Sequence, residues 1–283
     1  DPVLKQQLGL PISRSMDVLY INIDLLRNLG FEELPTTWEA FATMACGARN
    51  AGYIGYELPT DATPLIAMIL SRGGNLLAAD YSTYTFNKPE TIEAMRWLND
   101  LYQEECVVLQ LEPDQKWQNF GEGKVLFTID RSDLLPIYQS AVAQGYQGVW
   151  SIAALPHNTS VPIMNSYGKS FSIVKHSPES DLAAWLFVKW FTDSAQQARW
   201  IERSHTLPVR QSVKHQLDAY LAQHPSYQIS LELQQYSQPQ PAMIHSTLVH
   251  DLLTEVMIEI LQGADLTETL TDVNDEANEI LEL

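Results

Sequence analysis

Apolar residues along this chain follow two spacings, one typical of helices and one typical of strands. Segment 38–50 carries its apolar residues at helical spacing, whereas 54–58 and 124–129 alternate apolar and polar residues as strands do. The helical spacing also covers 65–71, the segments that follow Asn87 and Ser177, 243–262 and 266–283. Helices alternating with strands predict an α/β sheet fold, in which ligands bind in crevices beyond the carboxyl ends of the strands.

Helix starts and buried faces can be predicted from local residues. Thr36-Thr37-Trp38-Glu39 predicts a capping box in which the Thr36 hydroxyl accepts from the Glu39 amide. Pro89 suits the first turn of a helix, where its missing N–H costs nothing. Four tryptophans lie on helical stripes and are predicted to be in the core: Trp38, Trp97, Trp185 and Trp190.

The net negative charge disfavours some classes of binding partner, namely nucleic acids and anionic membranes. Lysine and arginine total 17 against 35 aspartates and glutamates, a net charge of −18, and the excess is spread along the chain. Without a basic stripe, binding to nucleic acid or to an anionic membrane surface is not expected. The start of the chain lacks a signal peptide, but an exported protein would have lost one, so this decides nothing.

Candidate chemistry is sparse. The seven histidines show no metal-site spacing, and no metal or cofactor is expected. Asp130 and Asp133 follow a predicted strand and could serve a glycosidase, but no acid–base motif accompanies them, so an enzyme is not favoured. Cys46 and Cys106 lack metal-type spacing, and a disulfide between them is one open alternative.

Seven phrases in a fixed order carry a family resemblance. They are V-L-Y-I-N-I-D-L-L (18–26), L-P-T-T-W-E-A-F (34–41), R-G-G-N (72–75), W-Q-N-F-G-E-G-K-V-L-F-T-I (117–129), W-S-I-A-A-L-P (150–156), S-P-E-S-D-L-A-A-W-L-F-V-K-W-F (177–191) and T-L-P-V-R-Q-S (206–212). Together they resemble the family 1 extracellular solute-binding proteins of ABC importers, a group that includes maltodextrin, oligosaccharide and glycerol-phosphate receptors.

The resemblance implies a two-lobe, periplasmic-binding-protein-like fold with three hinge crossings. Residues 1–17 and 155–205 would belong to lobe one, and 18–149 with 212–283 to lobe two. Segments 150–154 and 206–211 would be hinge crossings. In the family the tyrosine–asparagine phrase comes later in the chain than Tyr20 does here. Lobe one is therefore expected to be incomplete. The apolar stripe of 178–191 would then be covered by a second copy or by a bound N-terminal fragment, or the lobe would be partly rearranged.

Matching the phrases to the family implies a ligand-binding set from both lobes and the crossings. The set is Ser13, Arg14, Ser15, Asp61, Thr63, Asp130, Arg131, Ser132, Tyr167, Gly168, Lys169, His205, Arg210 and His245. Two positions depart from the family pattern. Lys169 stands where relatives carry a second glycine, and His205-Thr206 replaces a common glycine–tyrosine pair.

The function implied by the resemblance is capture of a sugar or related polyol by hinge closure and delivery to a membrane permease. The site is expected to be neutral to acidic, because segment 243–250 holds no arginine for a phosphate. The location implied is periplasmic or extracellular, with a lipid anchor on a removed signal segment. A ligand sensor that signals to a membrane protein is the alternative, and a glycan-acting enzyme is less favoured.

Overall fold

The computed structural model describes residues 8–241, 243 and 245–282. No helix in that part of the chain combines the length and apolar character needed to cross a bilayer. The nine strands found there are β1 (Leu10–Pro11), β2 (Ser15–Asn22), β3 (Ile54–Pro59), β4 (Val107–Gln110), β5 (Val125–Arg131), β6 (Trp150–Ala153), β7 (Met164–Tyr167), β8 (Ser170–Phe171) and β9 (Ser237–Pro239).

The α-helices fall mainly between these strands and at the end of the chain. They are α1 (Ile23–Asn28), α2 (Trp38–Asn50), α3 (Thr63–Ser71), α4 (Pro89–Gln103), α5 (Pro113–Gly121), α6 (Leu135–Gln144), α7 (Pro178–Phe191), α8 (Ser194–Ser204), α9 (Asp218–Gln223), α10 (Pro225–Leu233), α11 (Ser246–Leu261) and α12 (Leu266–Leu281). The α/β class predicted from the sequence is confirmed.

One seven-stranded sheet organises the fold. Its order is β4-β3-β5-β2-β7-β9, and β6 pairs with β2 beside that path. Strand β3 runs parallel to β4 and β5, whereas β2 is antiparallel to β5, β6 and β7. The long β2 therefore joins the parallel part of the sheet to β7 and β9. A separate pair, β1 and β8, forms a two-stranded sheet.

Helices cover both faces of this sheet, which explains the continuous apolar run in β2. Tyr20 and Ile21 point to opposite faces because strand side chains alternate. Tyr20 stacks on Tyr138 of α6 at a centroid distance of 3.9 Å. Ile21 pairs with Phe127, whose ring stacks 4.6 Å from Phe41 of α2. Both residues of β2 are fully buried, as a strand between two helical layers requires.

Helix starts differ slightly from the sequence predictions. Helix α2 spans Trp38–Asn50 as predicted, but its N-cap is Thr37, whose hydroxyl accepts from the Ala40 amide at 3.2 Å. The prediction of a Thr36 cap is wrong by one residue. Helix α11 begins at Ser246 rather than Met243, because His245 has a left-handed φ of 61°. The predicted helix end at Leu283 lies outside the described residues, as do residues 1–7 of the predicted lobe one.

Of the four predicted core tryptophans, Trp38 is buried, Trp97 is half-buried against the core, and the other two are exposed. Trp38 is 1% exposed, and it forms an edge contact with the half-buried Trp97. The Arg72 guanidinium lies 4.6 Å from the Trp38 ring and 5.1 Å from the Trp97 ring, a paired cation–π contact. Trp185 and Trp190 of α7 are 48% and 54% exposed, so their assignment to the core is wrong.

A disulfide joins Cys46 of α2 to Cys106, the residue before β4. It closes a loop with a sequence separation of 60 residues, between the helix that covers one face of the sheet and the strand at its edge. The sequence had left this pairing open. Its presence agrees with a protein that works in an oxidising compartment.

Candidate functional site

A cavity of about 410 Å³ lies at the carboxyl ends of β3 and β5, where they meet the start of β2 and the end of β7. Its walls come from strands β2, β3, β5 and β7, the loop after β3, helices α3 and α5, and the turn after β5: Asp17, Pro59, Asp61, Thr63, Pro64, Lys116, Trp117, Ile129, Asp130, Arg131, Leu134 and Tyr167. This is the place at which α/β sheets bind ligands, and the volume lies within the range of small-molecule pockets.

Lys116 and Asp130 form the back of the cavity. The Lys116 ammonium lies 2.7 Å from Asp130 Oδ2, and both side chains are at most 10% exposed. Tyr138 Oη and the Trp117 indole N–H also donate to Asp130 Oδ2, at 2.8 and 3.4 Å. The Arg131 amide donates to Asp130 Oδ1 at 2.8 Å. With these four partners, Asp130 is fixed in position and its charge is neutralised inside the protein.

Arg131, the last residue of β5, is held by Asp133. Its Nε and Nη2 atoms donate to the two carboxylate oxygens of Asp133 at 3.0 and 2.7 Å, a bidentate pair. Ser15 Oγ donates to Asp133 as well, at 2.7 Å. The Asp133 hydrogen bonds and charge outweigh partial burial and raise the pKa of Arg131. The arginine thus stays charged at the rim, with Ser15 tying β2 to the same carboxylate.

Asp61 lies on the loop between β3 and α3. Its Oδ1 accepts from the Thr63 amide at 2.7 Å and lies 3.6 Å from His250 Nε2 of α11. Burial alone would raise the pKa of Asp61, but hydrogen bonds from His250 and Thr63 outweigh it and lower the value to about 2. The same contact raises the pKa of His250. About half of the Asp61 side chain is exposed, so its free oxygen can accept from a ligand.

Asp17 is the most buried carboxylate of the cavity, at 1% exposure. Asn165 Nδ2 and Tyr167 Oη donate to its two oxygens at 2.7 and 2.6 Å. Burial raises the pKa of Asp17 to about 7; the two donors oppose the rise, and the negative charges of Asp130 and Asp61 add to it. The strand register explains the placement, because Asp17 pairs with Arg131 across β2 and β5.

The cavity brings together five of the predicted ligand-binding residues: Asp61, Thr63, Asp130, Arg131 and Tyr167. Ser15 and Ser132 do not line the cavity. Their hydroxyls are hydrogen-bonded to each other, and the Ser15 hydroxyl also donates to Asp133. Ser13 is buried, and the Arg14 guanidinium is bonded to the Ser13 and Lys169 carbonyls. Gly168 approaches the Ser13 carbonyl so closely that a Cβ would lie 2.2 Å from it, which accounts for glycine there.

The remaining predicted residues lie elsewhere. Lys169 is exposed, and His245 is exposed at the start of α11. Arg210 donates to Thr192 and lines another surface cavity. His205 lines a cavity of about 260 Å³ beside α6, α9 and α10, and its Nδ1 lies 2.5 Å from Tyr220 Oη. Neither of these two cavities shares a lining residue with the 410 Å³ cavity described above, which we call the Asp17 cavity.

Sequence reasoning missed Asp17, Lys116 and Trp117. Asp17 stands inside an apolar strand, Trp117 opens one of the family phrases without having been assigned a role, and Lys116 lies just before that phrase. An acidic residue within the apolar run of 16–21 is the signal that could have identified Asp17, since buried carboxylates are rare unless they have a role.

The arrangement suits binding rather than metal chemistry. In the described part of the chain, one group of three potential metal ligands occurs, formed by Cys46, Glu104 and Cys106. Its two cysteines are bonded to each other, so they offer no thiolate. The cavity instead presents carboxylates, a guanidinium and two aromatic rings, groups that hold hydroxyls and pack against the apolar face of a small polar molecule.

Comparison with solved structures shows the fold. The cyclic alpha-maltosyl-1,6-maltose binding protein from Arthrobacter globiformis is 23% identical with a TM-score of 0.84, over 98% of this chain and 73% of its own. The sugar-binding protein MalE from Xanthomonas citri is 21% identical with a TM-score of 0.85, over 97% and 70%. UgpB from Mycobacterium tuberculosis, in complex with glycerophosphocholine, is 21% identical with a TM-score of 0.82, over 98% and 71%.

The family follows from the sequence match. Residues 4–228 match the family model described as bacterial extracellular solute-binding protein. That match covers most of the chain, and it agrees with the fold. The chain belongs to the bacterial extracellular solute-binding protein family.

Proposed function

We propose that this chain is the receptor of an ABC importer and that it captures a sugar or related polyol in the Asp17 cavity. The observation that carries the proposal is the cavity wall itself. Asp61 and Asp130 offer planar carboxylates, Arg131 offers the guanidinium N–H groups that Asp133 leaves unused, and the rings of Trp117 and Tyr167 lie beside them. The carboxylates and the guanidinium can bind the vicinal hydroxyls of a sugar, and the two rings can pack against the apolar face of its ring.

The named ligands of the similar structures support this class. One relative is named for cyclic maltosyl-maltose, another is called a sugar-binding protein, and a third holds glycerophosphocholine. For this chain we favour a polyol without a phosphate. Both cations that line the cavity, Lys116 and Arg131, are already paired with aspartates, so a phosphate would have to displace a carboxylate.

The mechanism we propose is closure about the crossing strands. Asp17 and Tyr167 lie on β2 and β7, Asp61 follows β3, and Arg131 ends β5. Asp17 and Arg131 are paired in the β2–β5 ladder and stay fixed, so closure would bring the lobe-one segment 155–205 toward a ligand held on this wall, and a permease would bind the closed form. No bond is made or broken in this scheme, so the receptor needs no catalytic residue or cofactor.

The proposed site of action is outside the cytoplasmic membrane. The family description and the Cys46–Cys106 disulfide support an extracellular or periplasmic location. Attachment through a lipid anchor, expected from the resemblance, stays a prediction.

The proposal can be tested by thermal shift against a panel of mono- and oligosaccharides and polyols, followed by isothermal titration of the hits. Binding stabilises the folded state, so a true ligand raises Tm in a concentration-dependent way. Asp61→Ala and Arg131→Ala should each weaken binding by roughly 1.5–3 kcal/mol, the range for hydrogen bonds to charged groups. Asp272→Ala, which removes an exposed carboxylate of α12, is the matched control and should bind as the parent does.

Two results would count against the proposal. If no member of the panel shifts Tm, a sugar receptor is the wrong function for this chain. If a ligand binds but both variants keep the parent affinity while remaining folded, the Asp17 cavity is the wrong site.

A further inference from the structure

The cationic side chains of the Asp17 cavity are already used inside the protein. Lys116 is paired with Asp130 at 2.7 Å, and Arg131 is paired with Asp133 at 2.7 Å. Each of these pairs is neutral as a unit. Asp61 has His250 as its partner at 3.6 Å, so the charge that the cavity presents to a ligand depends mainly on Asp17.

Asp17 has no cationic partner among the described residues. Its two oxygens accept from the neutral Asn165 amide and Tyr167 hydroxyl, and no lysine, arginine or histidine of the described chain lies within 4.0 Å of it. A buried carboxylate without a cation is costly, and proteins usually pair one. A carboxylate has room for about four hydrogen bonds, and Asp17, which lines the cavity, accepts two from Asn165 and Tyr167, so it can accept further donors.

Asp61 adds a half-exposed carboxylate to the lining of the same cavity. His250 lies behind it at 3.6 Å on α11 and is not among the residues that line the cavity. Trp117 and Tyr167 supply aromatic rings next to these carboxylates. Ring faces attract cations, so the aromatic and acidic parts of the wall favour the same kind of group.

We propose that the ligand of this cavity is a polyol that carries a protonated amine, with the ammonium held by Asp17 and the hydroxyls held by Asp61 and Arg131. This inference rests on the proposed receptor function and specifies its substrate class. The ammonium supplies the positive charge that no described side chain gives to Asp17. Its three N–H groups can reach the Asp17 carboxylate and still donate elsewhere in the cavity.

The test compares matched ligands that differ only at one group. Isothermal titration at neutral pH is run with glucose, glucosamine and N-acetylglucosamine, and with the corresponding galactose and mannose series. We expect one amine to bind at least about tenfold more tightly than both its parent hexose and its N-acetyl form, because only the amine carries a charge. A neutral member that binds as tightly as its amine would overturn the inference.

Asp17→Asn locates the effect. This variant should bind the amine at least about tenfold more weakly and should abolish the preference over the neutral hexose. The variant is expected to fold, because the buried Asn165 Oδ1 has no partner and could accept from the new amide after a flip of Asn165. Asp272→Asn removes the same charge from an exposed site and should keep the preference, which excludes a long-range effect of net charge. An amine preference that survives in Asp17→Asn would also contradict the assignment.

The outcomes separate this inference from the function on which it rests. Binding of neutral sugars alone would overturn the amine and leave the receptor function standing. Failure of every sugar, neutral or amine, would overturn both. If Asp17→Asn did not fold, the comparison of amine with N-acetyl ligand on the parent protein would still decide the substrate class.

Discussion

At the scale of single residues, Asp17 makes the stability of the free protein depend on pH. Burial raises the pKa of this carboxyl from its ordinary 3.8 to about 7. Below pH about 4 both the folded and the unfolded chain carry the proton. Between about 4 and 7 only the folded chain keeps it, so the stabilising contribution of this proton is lost as the pH rises through that window.

This dependence predicts a measurable difference from Asp17→Asn, which cannot titrate there. The unfolding free energy of the parent minus that of the variant should fall by up to about 1.4 kcal/mol per pH unit across the window. It should level off above pH about 7, where the folded form has lost the proton too. Urea unfolding at a series of pH values, without ligand, measures it. A difference that does not change with pH would show that Asp17 has an ordinary pKa.

The site residues differ in how visible they are in the sequence. Asp61, Thr63, Asp130 and Arg131 come directly after strands or at their ends, where the α/β fold puts ligands, so position alone suggests them. Asp17 enters the site through the pairing register of β2 with β5 and β7, which no local pattern states. When strand register or helix packing places a side chain in the site, that side chain can be identified only from the tertiary structure.

At the scale of elements, the start of α2 offers a matched pair of neighbouring threonines. Thr37 caps the helix through its hydroxyl, whereas the Thr36 side chain is exposed and only its backbone carbonyl is used, by His157. Thr37→Ala should cost about 1 kcal/mol of unfolding free energy. Thr36→Ala should cost less than about half of that, as exposed sites without such a role do. Equal losses in the two variants, measured by urea unfolding, would mean that the cap is shared.

A second prediction at this scale concerns the disulfide. Cys46–Cys106 ties α2 to the edge of the sheet across 60 residues, so its loss frees a long loop in the unfolded chain. Replacing both cysteines by alanine should lower the unfolding free energy by about 2–4 kcal/mol. The parent protein treated with a reductant is the control and should lose a similar amount. If the reduced parent unfolded at the same urea concentration as the oxidised one, the disulfide would contribute nothing to stability.

The elements themselves were largely predictable because each carries a strong local signal. Helix α2 has an apolar stripe and a threonine cap, and its bounds agree with the prediction at both ends. The start of α11 was misplaced because apolar residues continue upstream of Ser246, while the left-handed backbone of His245 interrupts the helix. Backbone conformation at a single residue is set by its surroundings, and hydrophobic spacing does not report it.

At the scale of the whole molecule, the surface of α7 stands apart. Leu182, Trp185, Leu186, Phe187 and Trp190 are each 48–57% exposed and lie on one helix. The sequence placed Trp185 and Trp190 in the core because helical spacing shows which residues share a face. Spacing cannot show whether the rest of the fold covers that face. In the described structure the ring of Phe171 contacts Phe187, yet about half of each of the five side chains stays exposed.

We expect this α7 surface to drive association, since monomeric proteins rarely expose a contiguous apolar patch of this kind. Light scattering coupled to size exclusion should give a mass above the 32.0 kDa of one chain, and this mass should rise with concentration. If another polypeptide stays bound and covers the surface, the mass should also exceed 32.0 kDa but should not depend on concentration. Trp185→Glu should shift the population toward 32.0 kDa, because a charge at the centre of the patch must be desolvated on contact. Ala143→Glu, which adds the same charge at an exposed position of α6, should leave the mass unchanged. A concentration-independent mass of 32.0 kDa for the parent, with no second chain by mass spectrometry, would show that the α7 surface is stable in water on its own.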